Sequence, residues 1–309
     1  MSDMLTHWAT FDDCKLLAQH DDQIAPELRQ IMLERADQAR FGTLTRGGSV
    51  WMEPTLRNAR ERWSQEQHRE RNQRNVAFVL GGLIHQACDR VMKPILTKAG
   101  GSDWSEIMAA MQGSREQQEE RKDDIARTQE ASAYFDCEVF RRVYMDGEQQ
   151  PFNRYFMTPV SPDEEKFEQV IRAMFQRTIL ATHTLKPDSA NMEEWLDNLF
   201  ERVQQLPVKV ERWLKVYNNW DSNKAEQFGV NSDFYRMDDP LIQAARLLQS
   251  GKTLDNDLRR RVYDEGASLC AYGDVLQTGL VYLRSASAYW TGQVNTFSAP
   301  NYLKSSVSV

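Results

Sequence analysis

Apolar residues recur every three or four positions along this chain, and the two-residue alternation of strands is scarce. The pattern predicts an all-α protein. Short helices are expected over 10–20 and 26–40, the second entered through Pro26, whose fixed φ suits a first helical turn. Residues 41–54, FGTLTRGGSVWMEP, read as a loop marked by the Gly47–Gly48 pair and Pro54. A polar helix follows over 54–73. Asn75 then reads as the cap of an apolar helix over 76–97, which Gly100 and Gly101 close. Ser102 or Asp103 caps a short helix to about 112, and Ser114 starts a long one to about 145. The first half of that long helix, REQQEERKDDIARTQE, is a solvated face. The second half, ASAYFDCEVFRRVY, is amphipathic and should pack on the core.

Past a loop at 146–161, helices are expected over 163–182, 191–217, 238–250 and 254–293. The aromatic stretch 218–237 reads either as a partner-binding surface or as an ordinary packed loop. The fold expected is a multi-helix bundle around a central buried helix at about 76–97. Residues 1–160 form its core, 161–293 add helices that pack on it or make a second lobe, and 294–309 form a tail.

Composition changes this picture little. The 309 residues are 41% hydrophobic and 27% charged, which is ordinary for a globular protein of this length. The net charge of −7 argues against nucleic acid as a partner, because that binding draws on a basic surface. The longest apolar run, VAFVLGGLIHQAC at 76–88, is about 13 residues long and carries His85. That is short of the roughly 18 that a transmembrane helix needs. The start of the chain has neither the basic nor the apolar region of a signal peptide. Cys14, Cys88, Cys137 and Cys270 are far apart and read as buried, reduced thiols. A cytoplasmic location is expected.

The sharpest local chemistry is GGLIHQACD. It holds His85 and Asp89 four positions apart, on one helix face. An imidazole and a carboxylate so placed suit zinc and similar metals, and equally suit an ion pair at a packing site. Gly81 and Gly82, one turn earlier, cost about 1 kcal/mol each inside a helix. They make sense where another backbone or a ligand comes close. His7 stands beside Trp8 near the first helix, and His68 lies on a polar helix. The arginine run from Arg57 to Arg74 is interleaved with Glu61, Glu66 and Glu70 and reads as a salt-bridged face. No phosphate-cradling loop and no nucleophile motif is present.

Over about 1–145, these residues resemble the zinc-dependent phospholipase C family and its P1-nuclease relatives. The stretch NVAFVLGGLIHQACDRVMKP is similar to that family's central helix, and Thr6-His7 to its first histidine ligand. The resemblance implies an all-α fold and zinc-assisted hydrolysis of a phosphoester. It names His7, His68, His85 and Asp89 as metal ligands, and Asp89 or Asp136 as the group that orients water. Arg46 or Lys93 would hold the phosphate. Several family ligands are missing. Thr45-Arg46-Gly47 replaces a motif that ends in aspartate, Lys93 replaces a histidine, and Thr128 and Ser132 stand where a histidine and a glutamate are expected. These losses leave room for one or two zinc ions at most, or for none, and a Lys93 ammonium could fill a vacated metal position. The leading expectation is a metal-assisted hydrolase of a small phosphoester or phospholipid head group. The alternative is a pseudoenzyme: a helical binding or scaffolding protein that kept the fold and lost the metals. It would act with a protein partner or a second copy of itself. A helical-bundle metal oxygenase is a third candidate, weakened by the lack of repeated Glu-x-x-His pairs.

Overall fold

A computed structural model describes residues 4–44, 49–101, 106–107, 114–144, 212–213 and 215–297. Every regular element among them is helical, as the periodicity predicts. The chain begins with α1 (Met4–Ala18), α2 (Pro26–Glu34), α3 (Ala36–Gly42), α4 (Ser49–Glu61) and α5 (Glu66–Gly100). It continues with α6 (Arg115–Glu120), α7 (Lys122–Tyr144), α8 (Ser222–Gln227), α9 (Pro240–Gln249), α10 (Asn256–Arg259) and α11 (Ala271–Trp290). A single π-helical turn, Arg260–Asp264, follows α10. No helix among the described residues is long and apolar enough to cross a membrane.

The centre of the molecule is α5, 35 residues long and about 50 Å from end to end at 1.5 Å per residue. From Asn75 to His85 every side is buried, as expected of a helix that is apolar all round. Helices α1, α2, α3, α4, α7 and α11 pack against it. One continuous core joins residues of α1 and α5 to those of α9 and α11.

Two crossings are close enough to exclude a side chain. A Cβ on Gly81 would lie 1.8 Å from the Ala39 carbonyl oxygen, and one on Gly42 would lie 2.1 Å from that of Phe78. The Gly81 of the central helix therefore meets the backbone of α3. On α11, a Cβ on Gly279 would meet the Cys14 sulfur at 2.6 Å.

Several boundaries differ from the sequence expectation. Asn75 caps nothing. It is buried inside α5, which runs unbroken from Glu66, because the polar stretch before it is itself helical and carries the apolar segment's first turns. Pro54 does not mark a loop but lies inside α4, where it supplies no backbone N–H to the helix. The long helix expected from Ser114 does begin at a Ser114–Gln117 capping box, yet it breaks at Arg121 into α6 and α7. The single helix expected over 254–293 is instead α10, the π turn and α11, with Gly266 at φ +57° between them. Gly101 closes α5 at φ +74°, as expected of a left-handed cap.

The aromatic stretch 218–237 packs inward rather than outward. Phe228, Val230, Phe234 and Tyr235 are buried, Phe234 stands edge-on to Phe135, and Ala271 and Tyr272 donate backbone hydrogen bonds to Asp233 and Phe234. Its aromatics are core, not a free docking face. The helices expected over 163–182 and across most of 191–217 lie outside the described residues, as does the tail beyond 297.

Asp12 and Asp13 sit inside α1 and are both buried and paired. Asp12 accepts from Arg40 Nη2 at 2.9 and 3.0 Å, from Lys15 Nζ at 3.2 Å and from the Tyr144 hydroxyl at 2.7 Å. Asp13 pairs with Arg246 and accepts from the Tyr272 hydroxyl at 3.1 Å. These bonds tie α3, α7, α9 and α11 to the first helix.

Candidate functional site

Three elements build the site. Helix α5 supplies His85, Asp89 and Lys93 as one stripe at four-residue spacing. Helix α1 supplies His7. The end of α3 supplies a backbone carbonyl.

The start of α1 is held from across the fold. Asp136, fully buried in α7, accepts from the backbone N–H groups of Leu5 at 3.3 Å and Thr6 at 3.1 Å, and from the Thr6 hydroxyl. A helix N-terminus leaves such N–H groups without partners and favours negative charge. A carboxylate from a distant helix meets both needs, and it fixes where the next residue, His7, lies.

The Asp89 carboxylate is the hub. Its Oδ1 lies 3.3 Å from His7 Nε2, and its Oδ2 lies 3.3 Å from His85 Nε2 and 3.0 Å from Lys93 Nζ. The two imidazoles stack with centroids 4.4 Å apart and planes 16° from parallel. His7, His85 and Asp89 are all buried, while the Lys93 side chain is 45% exposed and reaches in from the surface. One ligand atom from each of the three buried residues lies within 4.8 Å of the others. Cys88, the residue before Asp89 on α5, is close enough to the His7 ring to influence its charge.

His85 Nδ1 lies 2.7 Å from the Thr43 carbonyl oxygen, at the C-terminus of α3. A carbonyl can only accept, so Nδ1 carries the proton and donates it. In the neutral ring Nε2 is then a bare lone pair, and it faces the Asp89 carboxylate.

Burial pushes the His85 pKa down and the nearby His7 charge adds to this. Asp89 and the Thr43 carbonyl oppose, and the net direction is downward. For His7 burial also acts downward, but Cys88 and Asp89 overcome it and the ring is held well above its ordinary value. Asp89 would be raised by burial, yet the two histidines hold it well below the usual carboxylate range. These directions favour negative charge on Asp89 and place positive charge on His7 rather than on His85, since two stacked imidazolium rings would repel.

The residues fit a metal ion. Two imidazoles and a carboxylate are an ordinary zinc donor set. A ligand imidazole whose other nitrogen donates to a backbone carbonyl is the usual way such a ring is oriented.

His68, expected as a further ligand, is not in this group. It lies in the first turn of α5, 17 positions before His85, and so about 25 Å away along the helix axis. The expected break at Asn75 would have let the chain fold back; the continuous helix forbids it. Asp136 is engaged at the start of α1. Arg46 lies outside the described residues. Thr128 and Ser132 are buried in α7.

Sequence reasoning missed three participants. The Thr43 carbonyl has no residue-type signal at all. Gly42 belonged to a stretch read as loop. Cys88 was visible in HQACD, three positions after His85, but a buried thiol in a helix ordinarily reads as core.

No family model, no curated protein and no solved structure matches the chain.

Proposed function

We propose that this protein binds a divalent metal ion between His7, His85 and Asp89 and hydrolyses phosphoesters with it, as the zinc-dependent phospholipase C-like enzymes it resembles in sequence do. One observation carries the reading. His85 is committed as a donor to Thr43 at 2.7 Å, and its other nitrogen meets the Asp89 carboxylate at 3.3 Å. In the neutral ring that nitrogen presents its lone pair to the carboxylate, an arrangement that a cation between them relieves. A bound zinc ion would supply Lewis acidity and bring a water molecule's pKa toward neutrality.

The protein's own groups do the rest. Asp89 stays ionised and holds the cation's charge. Thr43 keeps His85 in the ligating tautomer. Asp136, through the α1 N-terminus, sets His7. Lys93 is exposed enough to turn outward and offer its ammonium to a phosphoryl oxygen. The four cysteines are buried and form no disulfide, which fits a reducing, cytoplasmic setting.

A second reading has its own observation. Lys93 Nζ already lies 3.0 Å from Asp89 Oδ2. The cluster would then be a closed ion network joining α1 to α5, in a non-catalytic binding or scaffolding protein.

Metal analysis of protein purified without added metal, beside Asp89→Asn, separates the two. Near-stoichiometric zinc, lost in the variant together with bis-phosphodiester hydrolysis, is the expected result. A wild-type protein that stays metal-free in excess zinc overturns the proposal and leaves the ion network.

A further inference from the structure

We infer that Gly42 and Gly81 are positioning residues of this site: the backbone crossing they permit seats the Thr43 carbonyl on His85 and so decides which ring nitrogen is free. What that nitrogen then holds rests on the metal-binding reading; the seating itself does not.

The crossing is limited by backbone on both sides. A Cβ on Gly81 would stand 1.8 Å from Ala39 O and 3.0 Å from Gly42 Cα; one on Gly42 would stand 2.1 Å from Phe78 O, and 3.0 Å from both Gly81 Cα and Gly82 N. No rotamer change relieves a clash with a carbonyl oxygen, so an added methyl must push α3 away from α5. The consequence is local. Gly42 is the last residue of α3 and Thr43 is its C-cap. Gly81 precedes His85 by four residues, one helical turn, on the same face.

Any separation at the crossing therefore acts directly on the 2.7 Å bond from His85 Nδ1 to Thr43. That bond does two things at once. It satisfies one of the carbonyls that every helix C-terminus leaves open, and it denies Nδ1 to any other partner. With it lost, the neutral ring is free to take the opposite tautomer, donating from Nε2 to Asp89, which occupies the nitrogen a metal needs. The close contact of α3 and α5 thus does more than pack: it excludes the tautomer that would close the site.

The test reads the His85 ring by nitrogen-correlated NMR on the full-length, metal-free chain, then zinc and cobalt affinity. Wild type should show a single Nδ1–H tautomer. Gly42→Ala and Gly81→Ala should mix in the Nε2–H form and lose about 10- to 100-fold in metal affinity, the usual range for removing such an orienting bond. Gly100→Ala is the control. Its Cβ would clash with Thr128 Oγ1 at 2.4 Å, on the same helix but 15 positions from His85, so it should destabilise and leave the tautomer alone.

Should both crossing variants fail to fold, the tautomer of the wild-type ring decides by itself. A wild-type ring protonated at Nε2 overturns the inference. So does a folded crossing variant that keeps the pure Nδ1–H ring. If wild type binds no metal, the hydrolase proposal fails by itself, and the tautomer measurement still decides the positioning role.

Discussion

At the scale of single residues, Asp89 decides the electrostatics and Asp136 the geometry. Removing Asp136 leaves two backbone N–H groups and the Thr6 hydroxyl unsatisfied in a buried place. Asp136→Ala should therefore lower unfolding free energy by about 2 kcal/mol or more, measured in urea. It should also weaken metal binding through His7.

The pH dependence has a definite sign. His7 is held above its ordinary value of 6.5. Its contribution to the stability of the metal-free protein is full below that pH and is lost as pH rises through the raised value. Asp89 is held below 3.8, so its contribution is present above that pH and is lost as pH falls through the lowered value. His85, shifted downward, takes stability away as pH falls below 6.5. A metal ion must displace the His7 proton, so zinc affinity should rise with pH through neutrality, by roughly tenfold per unit while one proton is released. Calorimetric titration at stepped pH checks this, and a flat profile counts against His7 as a ligand.

At the scale of elements, the helices were legible because their apolar positions repeat with the helical period, and because their ends carry local signals. Ser114 and Gly101 both act where the sequence places them. What failed were the joins. Asn75 looks like a cap because its side chain can act as one, but capping is needed only where a helix actually starts. Pro54 and Pro94 lie inside helices, each at the loss of one backbone bond. That misplaced break also left room for the ligand role that the resemblance gives His68. Since α5 is continuous, His68→Ala should leave metal content unchanged and shift stability by no more than about 0.5 kcal/mol. A loss of zinc in this variant would contradict the continuity of the helix.

At the scale of the molecule, distant segments close one core around α5. Gly279 of α11 faces Cys14 of α1 and Ile84 of α5. Gly279→Ala should cost about 1–3 kcal/mol through overpacking, seen as a lower midpoint in thermal unfolding. Arg246 of α9 pairs with buried Asp13 of α1 and donates to the Val143 carbonyl at 3.0 Å. Arg246→Met leaves Asp13 without its cation. A buried charge stripped of its partner costs on the order of 3–5 kcal/mol, so this variant should be the least stable of those named, with Tyr272 as the remaining donor to Asp13.

The sequence by itself determined the helical class, the buried centre at 76–97 and the shared face of His85 and Asp89, because each follows from spacing within one helix. It also placed Lys93 on that stripe. Only the tertiary structure decided which histidine joins them. His7 and His68 are equal candidates along the chain, and their distances from Asp89 depend on how α1 docks and on whether α5 breaks. The same holds for the Thr43 carbonyl. A backbone oxygen carries no residue identity, and its presence at His85 depends on two glycines, 39 positions apart in the chain, meeting at one crossing.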